Sequence, residues 1–113
     1  MSRSHVTTHV LDTGTGRPAV GIAARLHRQA PDDWEEVAQG TTDDDGRITS
    51  LGPTALEAGT YRIDFETGPY FAATGTETFF PSVSLIFELT DPAQHYHVPL
   101  LISPFAYSTY RGS

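Results

Sequence analysis

Apolar and polar residues alternate along most of this chain, giving a period of two rather than the roughly 3.6 of a helix, and that pattern predicts strands. Val6-Thr7-Thr8-His9-Val10-Leu11 reads as a first strand, followed by a turn over Asp12-Thr13-Gly14-Thr15-Gly16. Val20 to His27 reads as a second, with Val20, Ile22, Ala24 and Leu26 on one face, and Trp34 to Thr42 as a third. Asp43-Asp44-Asp45-Gly46 is a turn, because an Asp-Gly pair supplies the positive φ that tight reversals need. Arg47 to Leu51 follows as a short fourth strand. Tyr61 to Glu66 is a fifth, with Tyr61, Ile63 and Phe65 alternating against Arg62, Asp64 and Glu66. Pro69 suits the first turn of a short helix, Tyr70 to Thr74, closed by Gly75. Val83 to Leu89, His95 to Ile102 and Phe105 to Tyr110 complete the set. Eight strands at a spacing of about ten residues predict an all-β, eight-stranded antiparallel sandwich with one short helix.

Alternation also predicts which side chains meet. On the first strand Thr7, His9 and Leu11 share one face and Val6, Thr8 and Val10 the other. Val6 and Val10 are the better core residues, so His9 points away from the sandwich interior. On the seventh strand His95, His97, Pro99 and Leu101 lie opposite Tyr96, Val98 and Leu100. Both faces there are apolar, and a strand apolar on both sides is covered on both sides. One cover is the core; the other is expected to be a subunit interface, and His97 lies on one of these faces.

Length and charge narrow the function. The 113 residues are read as a single domain, 1–113, able to form a core without disulfides; there are no cysteines, which excludes disulfide and thiolate chemistry. No apolar run approaches the ~20 residues of a membrane span, and the opening Met-Ser-Arg-Ser-His lacks a signal peptide's apolar stretch, so no membrane partner and a cytoplasmic location are expected. The net charge is −7, and all seven basic residues are scattered arginines, so a phosphate backbone would be repelled and nucleic acid is not an expected partner.

Pattern alone carries little chemistry beyond this. His95-Tyr96-His97 has the spacing by which two strand histidines bind zinc, but no carboxylate is placed to complete a site, and no metal is expected. Asp43-Asp44-Asp45-Gly46 resembles the start of a calcium loop, yet the twelfth position, which needs a bidentate Glu, holds Thr54; a solvated turn is the better reading. Nucleophile-elbow, phosphate-loop and dinucleotide glycine motifs are absent.

Three segments add a resemblance. His97-Val-Pro-Leu-Leu-Ile-Ser-Pro-Phe-Ala-Tyr-Ser-Thr-Tyr-Arg-Gly-Ser113 resembles the C-terminal signature of the 5-hydroxyisourate hydrolases, enzymatic relatives of the hormone carrier transthyretin. Thr8-His9-Val10-Leu11-Asp12 with Gly16-Arg17-Pro18-Ala19 resembles their opening segment, and Asp45-Gly46-Arg47 their middle motif. The resemblance implies a transthyretin-like (prealbumin-like) sandwich of two four-stranded sheets, assembled as a homotetramer (a dimer of dimers) around a central channel. It implies a catalytic set at His9, Arg47 and His97, with Tyr110, Arg111 and Ser113 closing a substrate-binding pocket. The implied reaction is hydrolysis of 5-hydroxyisourate to 2-oxo-4-hydroxy-4-carboxy-5-ureidoimidazoline in urate breakdown, a cyclic-amide ring opening with no cofactor. Either His9 or His97 would activate water, while Arg47 would hold the anion and stabilise charge on the attacked carbonyl. Arg111 has a second possible role, anchoring the tail. The competing reading is a non-catalytic tetrameric carrier of a small hydrophobic ligand.

Overall fold

The computed structural model describes residues 3–113. Its strands are β1 (Val6–Asp12), β2 (Arg17–Pro18), β3 (Ala23–Gln29), β4 (Trp34–Thr41), β5 (Arg47–Ile48), β6 (Gly59–Phe65), β7 (Val83–Leu89), β8 (Tyr96–Ser103) and β9 (Ala106–Thr109), with helix α1 (Thr67–Ala72) between β6 and β7. They form two sheets. One has the order β4-β3-β6-β7; the other runs β2-β1-β8-β9, with β5 also pairing β1.

Between the sheets lies the apolar core that alternation predicts. Tyr61, Ile63 and Phe65 of β6 are fully buried, as are Val6 and Val10 of β1, Leu26 of β3 and Leu100 of β8. Each large apolar side chain so removed from water contributes about 1.5–3 kcal/mol. Thr8 shares the inward face of β1 and satisfies its hydroxyl by donating to the Val98 carbonyl at 2.6 Å.

Several expectations are corrected. The sandwich is not wholly antiparallel: β1 and β8 pair in parallel over their whole length, Val6 with Tyr96 through Asp12 with Ile102. The sheet that holds β1 has five strands rather than four, because the short β2 and β5 meet β1 at different points along its length, at Leu11–Asp12 and at Thr8–His9. The strand predicted to open at Val20 is β3, which begins at Ala23: Gly21, at φ 84°, turns the chain just before it. Val20 therefore falls out of phase and is 47% exposed, while Ala19 is buried in its place. The helix starts at Thr67, three residues earlier than predicted, which puts Pro69 at its third position.

Candidate active site

Register brings the histidines and arginine together. On β1, His9 faces Arg47 of the antiparallel β5, and Thr7 faces His97 of the parallel β8. Paired residues project to the same side of a sheet, so Thr7, His9, Arg47 and His97 share the outer face while their neighbours Thr8 and Ile48 are buried. Three stretches far apart in sequence thus supply one patch.

The turn before β5 positions Arg47. Asp43 Oδ1 accepts hydrogen bonds from the backbone N–H groups of Asp45 and Arg47, both at 2.9 Å. The bond from the Arg47 amide holds the Asp43 carboxyl below the usual carboxylate range. Gly46, at φ 75°, completes the turn, and a Cβ there would run into the Val10 carbonyl and crowd Pro18. The acidic run is thus a structural turn whose first carboxylate is used in fixing the arginine.

His97 is held from three sides. Its Nδ1 lies 2.8 Å from the hydroxyl of the buried Thr7. Its backbone carbonyl accepts the Gly112 N–H at 2.9 Å, an isolated bridge that lays the C-terminal tail along β8. Its ring lies so close to Gly112 that a Cβ at that position would be 2.5 Å from Cδ2. Burial, with further contributions from Arg47, His9 and Arg3, lowers the His97 pKa from the ordinary 6.5. The ring is therefore neutral at physiological pH, with one N–H and one lone pair.

Arg3, Thr7, Thr8, Arg47, Thr49, His97 and Ser113 line a small cavity of about 130 Å³. Of the residues predicted for the site, Arg47, His97 and Ser113 line this cavity, and His9 stands beside it as Arg47's register partner. The other two are placed elsewhere. The Arg111 guanidinium lies over the Tyr96 ring, 4.6 Å from its centroid, and donates to Gln94 Oε1 at 2.9 Å. Tyr110 is 60% exposed and, with Arg111, lines a larger groove of about 410 Å³ between the tail and β7. In the single chain, Arg111 ties the tail down, and Tyr110 lines the larger groove, which His97 borders as well.

Sequence reasoning missed Arg3, Thr7, Thr49 and Gly112. Thr7 carried a usable signal, since alternation puts it on the same face as His9; Gly112 carried one only as part of the terminal motif. Arg3 adjoins Ser4, which is buried, donates to the Val6 carbonyl at 2.6 Å and accepts the Leu51 N–H at 2.8 Å. His95 and His97 do share a face as predicted, but their ring nitrogens converge on the Thr7 hydroxyl.

Among known proteins, the model of the HIUase/Transthyretin family matches residues 6–112. The chain belongs to that family. A 5-hydroxyisourate hydrolase of Mus musculus is 46% identical over 97% of this chain and 96% of its own length. A solved structure of Klebsiella pneumoniae 5-hydroxyisourate hydrolase matches with a TM-score of 0.85 at 39% identity, covering 96% of this chain and 98% of the other. Transthyretin from Sparus aurata matches with a TM-score of 0.91 at 31% identity, covering 97% of each chain. Backbone likeness therefore extends to enzyme and transthyretin alike, and the distinction between them falls to side chains.

Proposed function

We propose that this protein is a 5-hydroxyisourate hydrolase, opening the ring of its substrate by adding water across a cyclic amide bond. The observation that carries this reading is the cavity that Arg47, His97 and Ser113 line on the outer face of the sheet, with His9 beside it as Arg47's register partner. The similarity to named 5-hydroxyisourate hydrolases over nearly the full chain supports the substrate.

The chemistry follows from the groups present. His97 Nε2 takes a proton from water, and the resulting hydroxide oxygen bonds to the ring carbonyl carbon. Negative charge collects on the former carbonyl oxygen, where the Arg47 guanidinium is the counter-charge; a fixed donor of that kind contributes roughly 3–4 kcal/mol to lowering the barrier. The C–N bond then breaks, and the departing ring nitrogen receives a proton from the imidazolium. His9, beside Arg47, orients the substrate. Ser113 contributes a hydrogen-bonding hydroxyl. Arg111 secures the tail that carries it.

The assembly belongs to the same reading. The outer face of β8 carries the mostly buried Pro99 beside His97 and Leu101, and the β7 edge carries Ile86, 63% exposed, over the apolar groove next to the tail. A homotetramer built as a dimer of dimers covers both surfaces, and Tyr110 meets the site across a subunit boundary. Light scattering after size exclusion is expected to give the mass of four 12.3 kDa chains. A monomer would remove this part of the reading. The cytoplasm is the proposed location.

The direct test follows the absorbance of freshly generated 5-hydroxyisourate with and without purified protein. Decay well above the spontaneous rate is expected. Saturable binding of small hydrophobic ligands without any acceleration would instead indicate a carrier.

A further inference from the structure

Thr7 lies between two imidazoles. Its Oγ1 is 2.9 Å from His95 Nε2 and 2.8 Å from His97 Nδ1. The two histidines alternate on one face of β8, and Thr7 is the register partner of His97 on the parallel β1. Thr7 is only 4% exposed, and a β-branched side chain has few χ1 choices, so the hydroxyl oxygen is held where both rings meet it.

A hydroxyl has a single proton. If Thr7 donates to one ring nitrogen, it can only accept from the other. Burial lowers the pKa of both rings, with Arg3 adding to the effect on each, so both are neutral at physiological pH. A neutral imidazole has one N–H and one lone pair. The protonation pattern of one ring therefore dictates that of the other through Thr7.

The surroundings set the direction. His97 lines the cavity with the guanidinium-bearing residues Arg3 and Arg47, and its Nε2 has no hydrogen-bond partner among the described residues. A lone pair facing those cations is favoured over an N–H. Nε2 bare means Nδ1 protonated, so His97 Nδ1–H donates to Thr7, and Thr7 donates to His95 Nε2. We infer that His95 is a positioning residue: by accepting the hydrogen bond from the Thr7 hydroxyl, it locks His97 in the tautomer whose Nε2 can take a proton from water. The inference deepens the reading of His97 as the base and rests on it.

His95→Phe keeps a ring of similar size but removes the acceptor. The Thr7 hydroxyl then turns to His97 Nδ1, which must give up its proton. Long-range 1H–15N correlation spectra of 15N-histidine-labelled protein read the tautomer of His97 directly, without reference to activity. The wild type is expected to show the Nδ1–H form and H95F the Nε2–H form, with kcat lower by at least ~10-fold and KM little changed. Thr7→Val should cost a similar factor and lose the single-tautomer signal. Thr7→Ser, which keeps the hydroxyl, should restore the Nδ1–H form and most of the turnover that Thr7→Val loses; this pair carries the test if H95F does not fold. An Nε2–H form in the wild type, or an Nδ1–H form retained in H95F, overturns the relay. A tautomer that switches with no change in kcat upholds the relay and overturns His97 as the base.

Discussion

Gly112 touches the ring of His97: a Cβ at residue 112 would sit 2.5 Å from His97 Cδ2, inside any tolerable carbon–carbon contact, and a tight 3.2 Å from Cγ. The glycine is therefore required by the imidazole beside it and not by its own backbone, which has no positive φ. Gly112→Ala is expected to push the ring off the Thr7 hydroxyl. We predict a kcat loss of about 10-fold or more, with the melting temperature within about 4 °C of wild type because the substitution lies in the tail. An unchanged kcat would show that the ring tolerates displacement.

Removal of either charged or basic group at the cavity gives a sharper result. His97→Ala or Arg47→Ala is predicted to lower turnover at least ~100-fold while leaving the size-exclusion profile of the wild type unchanged. Steady-state kinetics and size exclusion on the same preparations check both halves. Turnover near wild type in either variant removes that residue from the mechanism.

Acidity should silence the enzyme in a predictable window. A protonated His97 has no lone pair, so activity is present above its pKa and lost as pH falls through it. Burial and then Arg47 lower that pKa, so the acid limb of kcat/KM is expected to have its midpoint below the ordinary 6.5. A midpoint above 6.5 would contradict the assignment.

At the other end of the pH scale, Tyr70 joins α1 to the turn after β1. Its hydroxyl donates to Asp12 Oδ2 at 2.8 Å, while Asp12 Oδ1 accepts the Gly14 N–H at 2.9 Å. Burial and then Asp12 raise the Tyr70 pKa from 10.0 to about 12. The folded state therefore holds this proton more tightly than the unfolded chain, and the stabilisation is complete below pH 10.0 and disappears as pH rises through about 12. Denaturant unfolding should find Tyr70→Phe less stable by about 1 kcal/mol at neutrality, with the gap closing in that alkaline window. A gap that stays constant with pH would mean that the bond to Asp12 is not its source.

Much of this was legible in the residues. Alternation is a local property, so it placed Val6, Val10, Tyr61, Ile63 and Phe65 in the core and turned His9 outward. The Asp45-Gly46 pair marked the reversal before Arg47 for an equally local reason. What alternation cannot contain is the register between strands distant in sequence. Nothing near Thr7 specifies that it faces His97, and nothing near Arg47 specifies His9. The parallel β1–β8 pairing was missed for that reason, and with it the Thr7 bridge. Val20 was misplaced because one left-handed glycine resets the phase of alternation. Arg111 carried both readings in the sequence, and its stacking on Tyr96 could not be chosen over a role in the pocket without coordinates.

The parallel pairing of β1 with β8 has a consequence for synthesis. Thr7 and His97 are separated by 90 residues, so β1 leaves the ribosome long before the strand that completes its hydrogen bonding exists. The four-stranded sheet can zip from neighbours as they emerge, β3 onto β4 and then β6 and β7, whereas one flank of β1 must wait. Long-range closure of that kind is slow and leaves an open edge exposed to other nascent chains. The pairing that sets Thr7 beside His97 would thus be a late event in the folding of each polypeptide, once β8 closes on β1.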